Sequence, residues 1–141
     1  MFSSASKYAI RAILFLAVNN EKNKKWGSTE IAEKIGIKKP FLSKILQQLA
    51  RNKLISSSKG PKGGFFLDEE NKRNNLMTIL ECFDDRESFQ TCVLGLSECS
   101  NENPCPLHVQ AFAYREGMRY QFVHLTIEDL AKKIVQLELK I

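Results

Sequence analysis

Two apolar-periodic runs, Ile31 to Ile35 and Leu42 to Leu49, are separated by a very short stretch that contains Gly36 and Pro40. So short a join between two amphipathic helices closes only as a tight corner, the helix-turn-helix arrangement. Ser28 can cap the first of these helices, and Glu30 in its first turn faces the positive end of the helix dipole. Gly36 suits the left-handed residue that ends many helices, and Pro40 suits the first position of the second helix. There Leu42, Ile45, Leu46 and Leu49 repeat at three and four, leaving Lys38, Lys39, Ser43, Lys44, Gln47 and Arg51 off the packed side. Such side chains donate hydrogen bonds to phosphates and base edges, although Gln47 and Arg51 come late, where a recognition helix often leaves the groove.

The next segment, LISSSKGPKGGFFL, reads as a β-hairpin with a Gly/Pro turn that carries Lys59 and Lys62. Glycines at 60, 63 and 64 let the backbone come close to a duplex, and a lysine can enter the narrow minor groove. The hairpin is therefore a basic wing. The DNA-facing set expected from both elements is Lys38, Lys39, Pro40, Ser43, Lys44, Lys59 and Lys62. The whole chain carries 21 Lys plus Arg against 16 Asp plus Glu, a net charge of +5, so the placement of the cations matters more than their sum.

Around this pair the sequence predicts a buried helix from Ser6 to Val18 and polar connectors at NNEKNKK, DEENKRNN and DDRESFQT, with a short amphipathic helix around MTILECF. A long helix is expected to open with Cys105 as N-cap and Pro106 at its first position, placing His108 one turn inside. Its stripe of Ala111, Tyr114, Met118, Phe122 and Leu125 reads as a seam between two copies, as palindrome-reading dimers require. Thr126 and Asp129 form a capping box for a last helix with Ile127, Leu130, Ala131, Ile134 and Leu137 on one side. The expected class is mainly α with a small β-wing. A winged helix-turn-helix head occupies 1–83, a cysteine-rich loop 84–108, and a dimerisation helix with a terminal helix 109–141.

Three cysteines and a histidine, Cys92, Cys99, Cys105 and His108, follow one another at intervals of six, five and two residues. The residues between them are small, polar and turn-forming, and four such ligands suffice for one metal site. Three thiolates and an imidazole suit iron-sulfur chemistry or tetrahedral zinc, and a site without metal stays open. Cys82, in LECF, reads as a small buried helix thiol and the reserve ligand should His108 fail, while His124 reads as solvated or at an interface. The apolar run AILFLAV at 12–18 is at the short limit for the apolar part of a signal peptide and no small-residue cleavage site follows it, so a cytoplasmic protein is expected, where metal or core packing explains cysteines better than disulfides do. No Walker-type loop, paired carboxylates in an apolar setting or nucleophile with an evident base is present, and an enzyme is not expected.

The runs SKYAIRAILFLA, IAEKIGI, FLSKILQQLARNKLISS and KGPKGGFFL, with the cysteine loop leading into a long helix, resemble the Rrf-two family of winged-helix regulators over nearly the whole chain. The resemblance implies a homodimer that grips a roughly palindromic DNA operator with two recognition helices. The ending CPLH looks most like the branch that holds a 2Fe-2S cluster on three cysteines and a histidine, which maps to Cys92, Cys99, Cys105 and His108. Ser43 departs from members with an acidic residue there, so their operator sequence is not carried over.

Overall fold

The computed structural model describes residues 2–22 and 24–141, so Asn23 of the first polar connector lies outside the described residues. Among these the fold is mostly helical, with seven α-helices and one two-stranded antiparallel sheet. Helix α1 (Ser4–Val18) starts two residues earlier than expected because Ser3, rather than a residue inside the run, caps it and accepts from the Ser6 N–H. Its Ala9, Ala12, Ile13 and Leu16 are buried at the centre of the head. The corner follows the sequence reading closely. Helix α2 (Ser28–Ile35) ends at Gly36 with φ 68°, and α3 (Lys39–Arg51) buries Leu42, Ile45, Leu46 and Leu49. Gly27 rather than Ser28 is the N-cap of α2, its N–H donating to Glu30 at 3.0 Å. Pro40 falls at the second position of α3, after Lys39.

The wing pairs β1 (Ser56–Ser58) with β2 (Gly64–Phe66) in the register Ser56↔Phe66, Ser57↔Phe65, Ser58↔Gly64. It is not free-standing, because Trp26 bridges Phe65 on the other side of β2 with backbone hydrogen bonds of 2.8 Å in both directions. Gly63 is where only hydrogen fits: a Cβ would lie 2.2 Å from the Ser58 carbonyl oxygen. Such a contact forces the backbone itself to move, so the tip keeps its shape only with glycine.

The connector DEENKRNN contains a helix that the polarity of the segment hid. In α4 (Glu69–Arg73) the Asp68 carboxylate accepts from the Asn71 N–H, and the Asn71 amide oxygen accepts from the Asp68 N–H. Asn71, buried, also donates to the Lys53 carbonyl at 3.0 Å and accepts from Ser56 at 2.8 Å. The short helix thereby pins the base of the wing through three side-chain hydrogen bonds of Asn71 rather than through apolar burial. Helix α5 (Leu76–Cys82) adds Ile79 and Leu80 to the core, and Gln48 of α3 donates to the Cys82 carbonyl at 2.6 Å. A 3-10 turn at Arg86–Phe89 then buries Phe89.

Helix α6 runs His108–His124, beginning later than the proline suggests. Cys105, Pro106 and Leu107 instead form a turn closed by the His108 N–H on the Cys105 carbonyl at 2.9 Å, and Leu107 is the N-cap. Proline fits position two of such a turn as well as the first residue of a helix, so its presence alone does not separate them. The stripe expected to be a seam also divides. Phe122 is buried within the chain, 5.3 Å from the Phe2 ring centroid and 5.4 Å from that of Phe89, and Met118 packs on the same core. Tyr114 of the same stripe stays exposed, as do Val109, Phe112 and Tyr120 elsewhere on α6. Helix α7 (Ile127–Gln136) carries the expected box, Asp129 N–H to Thr126 Oγ1 and Thr126 N–H to Asp129 Oδ2, both at 3.1 Å, and packs against α1. No helix among the described residues is long and apolar enough to cross a membrane.

Candidate nucleic-acid face and cysteine site

Lys38, Lys39, Pro40 and Lys44 are exposed on and just before α3, Ser43 is half-buried, and Lys59 and Lys62 are exposed at the wing tip. The ion pairs among the described residues lie elsewhere, at Glu69–Lys72, Glu116–Arg119 and Glu128–Lys132. All five lysines of the expected set are thus available to a polyanion. Helix α3 is backed by four fully or nearly buried aliphatic side chains, and its exposed Phe41 ring sits edge-on to Tyr8 of α1 at 5.5 Å. A rigid, core-supported helix beside a basic tip is the arrangement that presents side chains to a groove while lysines hold the phosphates. Gln47 and Arg51 are exposed farther along α3, and Gln48, which turns inward to α5, is not on this face.

The second cluster is built differently. From residue 91 to residue 110 no side chain is buried, and the only half-buried ones are Cys92, Cys99, Cys105 and His108. The thiol sulfurs of the three cysteines lie within 4.8 Å of one another, all free. Cys92 Sγ is 3.8 Å from Cys105 Sγ, and Cys99 Sγ is 3.2 Å from His108 Nδ1. Two thiolates on one tetrahedral ion, each about 2.3 Å from it, stand about 3.8 Å apart, so the first pair already has a chelating separation. The four residues fit a soft metal centre in donor type; the three sulfurs converge on one another, and His108 joins them through its approach to Cys99 alone.

Turns of the loop create this convergence. Gly95, at φ 71°, donates to the Cys92 carbonyl at 3.0 Å and folds the chain back so that the N–H groups of Leu96 and Leu94 point at Cys92 Sγ. Those two donors, Leu96 first, favour the thiolate over the opposing effect of burial and bring Cys92 down to about 7. Cys99 moves up: the Cys105 N–H favours its thiolate, but burial and the adjoining sulfurs of Cys105 and Cys92 outweigh it. Closely spaced sulfurs cannot all ionise without a cation between them, and thiolate ligation supplies one. Cys82 stands apart in α5, packed against the core, its thiol pushed up by burial. His124 is exposed, its Nδ1 2.8 Å from the Tyr120 carbonyl.

Two residues of this region were not singled out by the sequence. Asn101 Oδ1 lies 2.9 Å from His108 Nε2, the far side of the ring from Cys99. Arg115, only 7% exposed, donates to the Thr91 carbonyl at 2.7 Å, while its Nε–H is enclosed without an acceptor. Arg115 and Cys92 both line a cavity of about 590 Å3 between loop and α6. A buried arginine inside an apolar-looking helix and one asparagine among many polar loop residues carry no periodic signal that would mark them.

A buried-core helix-turn-helix, a basic glycine-rich wing and a separate thiol site together define a winged-helix regulator of transcription. The Rrf2 family, described as iron-dependent transcriptional regulator, matches residues 2–133, and the chain belongs to this family. It is 33% identical over 132 residues to a protein of Aquifex aeolicus named as an HTH-type transcriptional regulator, covering 92% of this chain and 90% of the relative. With the HTH-type transcriptional regulator IscR of Xenorhabdus nematophila the identity is 25%, over 92% of this chain and 78% of that one. Two solved structures share the fold. The Bacillus subtilis global cysteine regulator CymR superposes with a TM-score of 0.72 at 18% identity, covering 94% and 97% of the two chains. The IscR of T. potens gives 0.68 at 18%, covering 99% and 91%. The family and these relatives are regulators of transcription rather than enzymes.

Proposed function

We propose that this protein is a homodimeric DNA-binding regulator whose operator affinity responds to a 2Fe-2S cluster held by Cys92, Cys99, Cys105 and His108. The observation that carries the reading is that these four are the most enclosed side chains of a segment with no apolar core, that the three sulfurs converge, and that His108 Nδ1 faces Cys99 Sγ. When bound, the cluster supplies a charged, redox-active crosslink, with a potential raised by one neutral imidazole among thiolates. The chain's own residues do the rest. Lys38, Lys39, Pro40, Ser43 and Lys44 on α3, with Lys59 and Lys62 on the wing, bind a roughly palindromic operator, and two copies meet through the outward side of α6, where Val109, Phe112 and Tyr120 are exposed.

Arg115 holds the Thr91 carbonyl, and Gln48 holds the Cys82 carbonyl, so the ends of the short stretch between head and loop are each tied to a helix. Ligation of residues 92–108 biases the position of this stretch, and loss of the ligands' metal releases it, a two-state bias on α3. Electrophoretic or fluorescence titration of a family operator with metal-free and anaerobically reconstituted protein tests the sensing role. A difference in affinity is expected at one promoter or more; equal affinities at all of them remove the sensing role and leave DNA binding intact.

A second reading has its own support. Mutual sulfur distances within 4.8 Å suit one tetrahedral zinc ion as they stand. Iron, zinc and acid-labile sulfide analysis on protein purified without oxygen separates the two: matched iron and sulfide favour the cluster, and one zinc without sulfide favours the mononuclear site.

A further inference from the structure

We infer that Asn101 is a positioning residue for the metal site: it fixes the His108 imidazole so that Nδ1 is the nitrogen offered to iron. The inference rests on the cluster reading above. Asn101 Oδ1 is 2.9 Å from Nε2, while Nδ1 faces Cys99 Sγ at 3.2 Å. In a neutral imidazole one nitrogen is a donor and the other an acceptor. A carbonyl oxygen only accepts, so the Nε2 opposite it carries the proton and the Nδ1 lone pair is left on the sulfur side. The rotated amide would donate to Nε2 and put the proton on Nδ1, against the thiols, where it would block ligation.

The ring is also held in orientation, not only in tautomer. Phe112 of α6 stacks on it, 6.1 Å between centroids with an interplanar angle of 11°. Asn101 is delivered by a turn with its own closure: the Ser100 N–H donates to the Asn103 carbonyl at 3.2 Å, and the Asn103 N–H donates to Ser100 Oγ at 3.1 Å. The turn between the second and third cysteines thus has a purpose beyond spacing. Hydrogen bonds to the outer nitrogen of a ligating histidine set its orientation and its basicity toward the metal. A neutral amide oxygen holds the proton without drawing it toward itself as a carboxylate would, which keeps the imidazole a weaker electron donor and the cluster potential higher.

The test uses full-length protein reconstituted without oxygen, as wild type, Asn101→Asp and Asn101→Ala, with histidine labelled by 15N at Nδ1 or Nε2. Pulsed electron paramagnetic resonance of the dithionite-reduced wild type should place the strong ligand coupling at Nδ1 and the weak remote one at Nε2. Asn101→Asp should keep its cluster and shift the midpoint potential downward, while Asn101→Ala should lose about 10–100-fold in cluster retention against a chelator. Strong coupling at Nε2, or wild-type potential and retention in both variants, overturns the inference and leaves the cluster reading standing. A wild type that takes up no cluster overturns both. Asn101 is exposed, so the thermal unfolding of the head serves as the folding control and is expected to stay at the wild-type value.

Discussion

The head and the sulfur loop are ordered by different forces. Between Ala9 and Leu80, isoleucines and leucines from α1, α2, α3 and α5 are buried on one another, each worth about 1.5–3 kcal/mol when removed from water. Residues 91–110 bury nothing, and Val93, Leu94, Leu96 and Leu107 are 47–62% exposed. What holds that loop is a few turn hydrogen bonds and the mutual approach of four prospective ligands. The head therefore stands folded under all conditions that keep its core dry, whereas the order of the loop is conditional on its chemistry. A regulator needs both properties.

Removing one ligand should separate the regions most sharply. Cys99→Ala is expected to lose essentially all bound iron and sulfide while leaving the urea midpoint of the head unchanged; full iron and sulfide content in the variant would strip Cys99 of its ligand role. The reverse change should be nearly as lopsided. Leu46→Ala, at a position 0% exposed, should cost about 2–5 kcal/mol in urea unfolding, and Leu96→Ala, 51% exposed, within about 0.5 kcal/mol of nothing. Equal effects would mean that the loop has an apolar core of its own.

Thiol reactivity sharpens the contrast within the loop. The N–H groups of Leu96 and Leu94 lower Cys92 from 9.0 to about 7, so its thiolate dominates above that pH and its thiol below. In metal-free protein, iodoacetamide labelling of Cys92, followed by peptide mass mapping, should rise with pH and level off just above about 7. Cys99, shifted upward, should still be accelerating there. A Cys92 profile that keeps climbing to pH 9 would show that the turn at Gly95 does not form without metal. On the head the smallest effect is expected: Lys59→Ala should weaken operator binding and lower the slope of log affinity against log salt by about one unit, and an unchanged slope would take Lys59 off the DNA.

The sequence made the head readable because period and punctuation agreed there. Leu42, Ile45, Leu46 and Leu49 mark one helix face, Gly36 marks a left-handed end, and both took the expected places. Features held by polar side chains were harder to see. Helix α4 contributes only Asn71 to the interior, so no apolar repeat announced it, although Asp68 and Asn71 three apart were a cap in plain view. Within the α6 stripe, Phe122 and Met118 pack inside the chain for a reason the stripe could not reveal. Phe122 is covered by Phe2 and Phe89, residues distant in sequence, and a stripe on a helix does not say whether its cover comes from the same chain. In the site, the cysteines and histidine that the fold brings near one another were legible, while Asn101 and Arg115 depend on loop geometry that spacing does not encode.

The bracketing of the loop by Phe89 and Arg115 has an evolutionary consequence. Both are buried in the body of the protein, and everything from Thr91 to Leu107, before α6, is at most half-enclosed. Residues in that interval can be exchanged, lengthened or stripped of cysteine with little penalty to the reader of DNA, because no core side chain would be lost. The loop is in this sense a replaceable cassette, and a lineage can change its chemistry without first having to rebuild the helix-turn-helix head.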